Sequence, residues 1–434
     1  MKSKFFTLEY FFVSILFLLV LWGAPYPFYT ATSELFRRSA AVSLSGVLNI
    51  KAILQITIWI VFFCVVYLGI FKRNIRQSLN LNKDDSIYKS WLIFIICACI
   101  AQLFSYSFLL SGLRLFQLIT LFLFLLSMLN GNSYDQGLPQ RVFVVFILTN
   151  FAYNLLMYVF YPDAVVWRTY VGLDRLIGGW LFQKDYGLCS VFLYCFALAN
   201  LFFYKKNKAT ILLVLLSSAG ILLGGTRSFA IAAFLLLIVT LYIRFSNKNF
   251  RGIVLVLGLF SLGLSLYLFP QINELMGRSH DSLLSGSGRF TAWGLFWYEF
   301  WGNSNWFFGN GYSAAGRTIA TTHYSGAFGN MHNMYLEVLV DTGVFGLVAF
   351  FYIIITTLRT WFSCTEFLIK RKHDRVIIRN IVAWGLIFIA LLIIGVTANS
   401  FMEEFFISTF AFIMASFYIQ YISKVCRKIN RNYC

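Results

Sequence analysis

The chain has 434 residues, 59% of them hydrophobic, 19% aromatic and only 12% charged, with a formal net charge of +18. Soluble domains carry about 25% charged residues, so a water-soluble fold is excluded and an integral membrane protein is expected. The basic balance does not point to nucleic acid as a partner, because Lys and Arg gather in alternate loops between apolar runs, as membrane insertion requires.

Apolar stretches of about 20 residues span a bilayer as helices, whereas membrane barrels show weakly alternating segments of about 10, a pattern missing here. The hydropathy pattern predicts an all-α, polytopic protein with about 12 spans, at 9–25, 52–71, 91–110, 113–130, 142–161, 184–204, 209–224, 227–243, 252–269, 343–359, 381–398 and 404–423. The opening "MKSKFFTLEYFFVSILFLLVLWG" has the build of a signal peptide. No clear small-residue cleavage site follows, so it reads as an uncleaved first span. Ser111-Gly112 is expected to form a very tight turn between the third and fourth spans. With Lys2 and Lys4 in the cytoplasm, alternation puts Lys72, Arg73, Arg76, Lys205, Lys206, Lys208, Arg244, Lys248, Arg251, Lys370, Arg371 and Lys372 on the same side, and both termini are cytoplasmic. The eight cysteines fall in spans or on that side, and Cys97 and Cys99 lack metal-site spacing, so small-hydrophobe roles without disulfides are expected.

The whole chain, 1–434, reads as a single membrane domain with two long outer segments, 162–183 and 270–342. Loops beyond about 12–15 residues are usually functional or disordered, and 270–342 is too rich in aromatics and glycine for disorder. Inside it, "GRFTAWGLFWYEFWGNSNWFFG" puts Trp293, Trp297 and Trp301 at i, i+4 and i+8, on one face of an amphipathic helix. Indoles so placed either anchor the helix at headgroup depth or form an aromatic wall for a sugar or a lipid chain.

Three outer-face features can carry chemistry. Arg227 follows a glycine pair at the start of a span in "LLGGTRSFAIAAF"; it either snorkels to the interface or holds a phosphate bidentately. Arg289 follows "SGSG", whose glycines allow a close approach of backbone to a ligand and whose amides precede a helix N-terminus, a setting that favours anions. The plain alternative is a flexible lead-in to the helix. His332, in "GNMHNMYLEVLVDTGVFG", precedes Asn333 at the mouth of the tenth span. It is either a polar helix entrance with Asn333 as N-cap or a general base. Gly343 and Gly346 are expected to let a neighbouring helix pack closely against that span. Arg168, Arg175, Lys184, Arg278 and Arg317 add to the outer basic set, with Asp174, Asp185, Glu337 and Asp341 as counter-charges. Such a cluster suits an anionic ligand such as a diphosphate. No GxxxxGK[ST], GxGxxG or HExxH motif is present.

At these residues the sequence resembles a known family. "GGTRSFAIAAF", "SGSGRFTAWGLFW", "FFGNGY" and "HNMYLEVLVDTGVFGL" look like segments of the O-antigen polymerase/ligase superfamily of bacterial inner membranes, over roughly residues 170–350. The resemblance implies a metal-independent, inverting glycosyltransferase without a cofactor, working at the periplasmic face on a glycan carried by undecaprenyl diphosphate. It implies that His332 is the base, that Arg227 and Arg289 hold the diphosphate, and, from a looser match around "GLDRLIGGWLFQKDYG", that Arg175 assists them. The outer loop 270–342 would then be periplasmic and bear part of the active site.

Within that resemblance two activities are open. A polymerase joins repeat units of a surface polysaccharide to a growing glycan acceptor, with membrane lipids around it and a chain-length regulator protein as a partner. A ligase transfers the glycan to lipid A-core. The first is preferred because "GRFTAWGLFWYEF" and "FFGNGY" sit better among polymerases. A transporter is the third reading, opposed by ionisable residues that gather at span ends.

Overall fold

The computed structural model describes residues 57–64, 86–130, 138–162, 166–168, 174–176, 186–224, 226–245, 250–254, 256, 258, 289–302, 305–315, 333–371, 373–396 and 407–431. The expected first span lies outside the described residues.

The architecture is a helical bundle, as composition demanded. Its long elements are α1 (Ser86–Gln102), α2 (Phe108–Asn130), α3 (Leu138–Phe160), α4 (Tyr186–Phe203), α5 (Lys208–Leu223), α6 (Arg227–Arg244), α7 (Arg289–Gly302), α8 (Met334–Lys370), α9 (Arg375–Ile394) and α10 (Ile407–Arg431). Among the described residues a small antiparallel hairpin, β1 (Val166–Arg168) with β2 (Asp174–Leu176), is the one addition to the all-α expectation. Among the described residues, six helices are long and apolar enough to cross a membrane: 108–126, 139–160, 186–203, 334–370, 375–394 and 407–427. Three shorter apolar helices, 86–102, 208–223 and 228–244, join them.

The centre of the bundle is α9 with α4 and α10. Trp384 and Phe388 of α9, Phe192 of α4 and Phe412 and Phe417 of α10 are fully buried. Their aromatic rings meet edge-on or tilted, as at Phe388–Phe412 (4.6 Å) and Phe143–Trp384 (5.3 Å). A helix apolar on all faces belongs inside a bundle. By contrast, α8 leaves Phe345, Val348, Tyr352, Ile355 and Phe362 exposed. These fall on one stripe at helical spacing and extend over about 27 Å, nearly the thickness of a hydrocarbon core. Such a stripe suits acyl chains.

Two polar pairs cross between helices in the apolar interior. The Trp91 indole Nε1 donates to Ser416 Oγ (2.8 Å), and the Ile87 amide donates to Gln420 Oε1 (3.2 Å). Both tie α1 to α10 at sites where no water is at hand to take the bond.

Packing fixes which helix ends coincide. The Arg379 guanidinium stands 5.0 Å from the Tyr204 ring centroid, so the start of α9 meets the end of α4 and the two run antiparallel. The end of α9 therefore lies with the start of α4. The Met334 amide donates to Gly395 O (2.8 Å), which brings the start of α8 to that same end. Helix α1 runs antiparallel to α8, as Ser90–Thr356 (3.3 Å) and Phe94–Phe350 (6.0 Å) show. The turn after α1 is thus at the Asn333 end too.

That turn corrects one expectation. Ser111 and Gly112 lie inside α2, and the chain reverses at Leu103–Ser107. Local polar bonds make the reversal there. Ser105 Oγ accepts from the Ser107 amide (3.2 Å), and Gln102 Nε2 donates to Phe108 O (2.7 Å), which ties the end of α1 to the start of α2.

Candidate functional site

The expected helix entrance is present. Asn333 caps α8: its Oδ1 accepts from the Tyr335 and Leu336 amides, both at 3.0 Å. Its Nδ2 donates to Val396 O (3.1 Å), and the Tyr335 hydroxyl donates to Leu392 O (3.0 Å). One cap thereby anchors the start of α8 to the end of α9. The helix starts earlier than the expected span 343–359 and takes in "MYLEVLVDT".

Gly343 does something other than the expected helix packing. Its φ of 70° and ψ of −174° break α8 into a first half, 334–342, and a second half that carries the exposed apolar stripe. A break strands carbonyls on one side and amides on the other. The segment 305–315, "NWFFGNGYSAA", meets both sets. The Asn310 and Gly311 amides donate to Val340 O and Asp341 O, each at 3.1 Å. In return the Val344 and Phe345 amides donate to Trp306 O (3.0 Å) and Phe307 O (3.3 Å). Gly309 (φ 80°) and Gly311 (φ 113°) adopt the left-handed backbone the crossing needs. Asn310 O then accepts from the Tyr106 amide (3.0 Å), which brings the turn after α1 into the joint. "FFGNGY" and "VDTGVFG", far apart in sequence, are two halves of one structure. The break lies just ahead of Phe345, at the edge of the apolar stripe and away from its middle.

Below the joint sits a buried polar cluster. Tyr312, Glu337 and Asp341 are 1%, 0% and 0% exposed, and Arg114 of α2 is 7% exposed. Arg114 Nη1 donates to Gln117 Oε1 (3.2 Å). Burial pushes the Tyr312 hydroxyl far above the ordinary phenol range. The Asp341 carboxylate adds to this, the Arg114 guanidinium opposes it and Glu337 adds again, so all three charges lie within reach of that phenol. Glu337 and Asp341 were read from sequence as outer counter-charges; the fold turns them inward. Arg114 and Tyr312 escaped the sequence reading. An arginine at the rim of an apolar span was the available signal for the first.

Arg227 is the first residue of α6, behind the N-cap position Thr226. The glycine ahead of it has a packing reason. A Cβ on Gly224 would stand 3.1 Å from Gly187 Cα, so α4 and α5 cross at close range. Next to Gly187, Tyr186 is buried and stacked on Phe151 (5.4 Å between centroids, 12° between planes). The starts of α4 and α6 therefore share the end of the bundle that holds Asn333. Arg175 lies on β2 opposite Trp167.

Arg289 opens α7, as the sequence indicated. This helix buries Phe296 and Phe300 against Leu339, Val340 and Ala315, and so packs on the first half of α8. Trp297 and Trp301 face outward, 50% and 48% exposed, with Trp293 half-buried. Trp297 meets Trp301 at 5.5 Å, and Trp301 meets Trp306 at 5.4 Å. An aromatic rim thus lies over the joint. His332 and Lys184 lie outside the described residues, while Arg227, Arg289, Arg175 and Asn333 have their backbone positions described.

Arg227, Arg289, the tryptophans and the Gly343 joint are all contained in one stretch of known kind. Residues 212–351 match the family model Wzy_C, O-Antigen ligase. The match supports the O-antigen polymerase/ligase superfamily as the family of this chain, and with it a glycosyl-transfer function of ligase or polymerase type. No curated protein matches the chain. The matched stretch also contains His332, whereas Arg114 and Arg175 precede it.

Proposed function

We propose that the protein is a surface-polysaccharide polymerase of the bacterial inner membrane, joining undecaprenyl-diphosphate-linked repeat units at the periplasmic face. The family match over 212–351, which contains His332, Arg227 and Arg289, supports the glycosyl-transfer chemistry, and the segments "GRFTAWGLFWYEF" and "FFGNGY", which sit better among polymerases, favour polymerisation. In the reaction, His332 takes the proton of an acceptor sugar hydroxyl as its oxygen attacks the anomeric carbon of the donor. The bond from that carbon to the diphosphate breaks, the anomeric centre inverts and undecaprenyl diphosphate leaves. Arg227 and Arg289, assisted by Arg175, stabilise the charge that develops on the leaving diphosphate, as preorganised cations do in other transfers. The exposed Trp297–Trp301 face forms a wall for sugar rings or the prenyl chain. Diphosphate is a good leaving group, so a general base supplies a factor of about 10² to 10⁴. The step needs no metal ion.

The ligase reading has one observation in its favour, the description of the matched family as O-antigen ligase. Deleting the gene separates the two. Loss of a polymerase leaves lipid A-core bearing a single repeat unit on a gel of surface glycan. Loss of a ligase leaves bare core while lipid-linked polymer accumulates. Full-length glycan from well-expressed His332→Ala and Arg289→Ala proteins would overturn the catalytic assignment. A transporter reading gains little from the break at Gly343, because the 305–315 segment already occupies the freed backbone groups there.

A further inference from the structure

The end of the bundle opposite Asn333 holds cations that lack carboxylate partners. There α4 ends, α5 begins and α9 starts. The chain between α4 and α5 reads "YKKNK", residues 204–208. The Arg379 guanidinium of α9 stands 5.0 Å from the Tyr204 ring centroid, and Lys205 Nζ stands 5.9 Å from the centroid of the same ring. Both are within cation–π range, so two cations meet one aromatic ring. Arg375 lies one turn before Arg379 on α9, and like charges at that spacing repel. Among the described residues the carboxylates of this end are engaged elsewhere. Glu366 pairs with Lys370 (2.9 Å), and Asp374 Oδ1 accepts from the Val376 amide (2.8 Å) as the N-cap of α9. Among the same residues Lys205, Arg375 and Arg379 make no ion pair.

The guanidinium is held in a fixed orientation. Its Nε and Nη2 donate to Asn380 Oδ1 (3.0 and 2.8 Å), and Asn380 Nδ2 donates to the Tyr418 hydroxyl of α10 (3.4 Å). Side chains of α9, α10 and α4 thus set its plane, and Nη1 is left for another acceptor. A half-buried, oriented guanidinium beside an exposed lysine is a setting in which phosphate is bound by charge-assisted hydrogen bonds. Apolar surface follows at once: Ile211, Leu212 and Leu215 of α5, starting one turn after Lys208, are exposed. Cations at a helix end with hydrocarbon-facing side chains next to them match a molecule with an anionic head and acyl chains. A free phosphate has no use for the apolar face, and a soluble acidic protein does not reach it.

We infer that Arg379, Lys205 and Arg375, grouped at the Tyr204 ring, form a binding site for the phosphate of an anionic phospholipid whose acyl chains lie along the exposed face of α5. The phosphate supplies the negative charge that the cluster lacks, and it relieves the repulsion between Arg375 and Arg379. Lys206 and Lys208 strengthen the surrounding field without touching the ring. The site is at the far end of the bundle from Arg227 and Asn333, so it stands independently of the proposed transfer reaction.

The test titrates the full-length protein in detergent with phosphatidylglycerol and with phosphatidylcholine, and counts bound lipid by native mass spectrometry. Phosphatidylglycerol should bind saturably and about tenfold or more tighter than phosphatidylcholine, the factor that charge-assisted hydrogen bonds contribute. Arg379→Gln and Lys205→Gln should each remove that preference. Arg379→Lys keeps the charge without the fork and should recover only part of it. Lys206→Gln removes one nearby surface charge and should cost about fivefold at most. Thermal unfolding in phosphatidylcholine checks the fold of each variant. Should Arg379→Gln fail to fold, Lys205→Gln decides, because its side chain is exposed. Equal losses in Lys205→Gln and Lys206→Gln would mean a diffuse field and overturn the site. Displacement of the lipid by millimolar inorganic phosphate, or by a polyglutamate peptide at the same charge concentration, would overturn the lipid as its occupant. An absent preference in the unaltered protein would overturn the inference outright.

Discussion

Gly309 and Gly343 approach each other so closely that neither tolerates a side chain: a Cβ on Gly309 would stand 2.5 Å from both Asp341 O and the Gly343 amide nitrogen. A Cβ on Gly343 would in turn strike the Phe307 carbonyl and stand 2.6 Å from the Gly309 amide nitrogen. Both residues have positive φ, 80° and 70°. The contact is backbone on backbone, so no rotamer change relieves it.

Gly343→Ala and Gly309→Ala should therefore each destabilise the protein by more than the roughly 1–3 kcal/mol that left-handed strain alone costs a non-glycine residue. Thermal unfolding in detergent measures this. Gly294→Ala is the control: it lies within α7, no group of another described segment lies within 4 Å of the added Cβ, and helix propensity predicts a gain of about 1 kcal/mol at most.

The cap at Asn333 makes two separable contributions. Asn333→Ala loses the two amide acceptor bonds and the tie to Val396 and should cost about 1–2 kcal/mol. Asn333→Asp keeps the acceptor and loses the donor to Val396, so it should retain most of the stability. If His332 is the base, both variants lower activity, with Ala the more severe in glycan-length assays.

Helix α7 presents two faces with opposite demands. Phe296→Ala removes a fully buried ring packed against α8 and should cost about 3–5 kcal/mol, seen as lost folded protein. Trp297→Ala with Trp301→Ala removes an exposed pair and should leave folding nearly intact while raising donor KM. An unchanged KM in the folded double variant would restrict the tryptophans to membrane anchoring.

Much of this was legible in sequence, for physical reasons. Low charge and long apolar runs declare a membrane bundle. Asn333 ahead of an apolar run is a cap in any context, and the Trp-rich repeat from Arg289 is a helix by periodicity. The break at Gly343 was not legible, because a glycine after a helical pattern fits close packing as well as a left-handed turn. Only "FFGNGY", arriving from thirty-odd residues upstream, decides between them. The Ser111-Gly112 turn failed for a related reason: a weak local preference in α2 yielded to a reversal tied by the Gln102–Phe108 and Ser105–Ser107 bonds. The burial of Glu337 and Asp341 is set by tertiary packing, which no local pattern around them announces.

A chelator test addresses the chemistry. If the transfer is metal-independent, EDTA treatment of the purified protein should leave glycan synthesis unchanged, and added Mg²⁺ or Mn²⁺ should not stimulate it. Loss of activity on chelation, restored by one divalent ion, would replace the arginine-based account of the leaving group.

The four main-chain bonds between 306–311 and 340–345 have a consequence for how the protein tolerates change. They read spacing, and most side chains at those positions are invisible to them. Substitution at Trp306 or Phe307 leaves every bond in place, while inserting one residue between Phe307 and Gly311 shifts the donors by a step and brings a side chain to a crossing only glycine fits. In this region the chain is more sensitive to its length than to its letters, and epitope tags or length variants belong elsewhere.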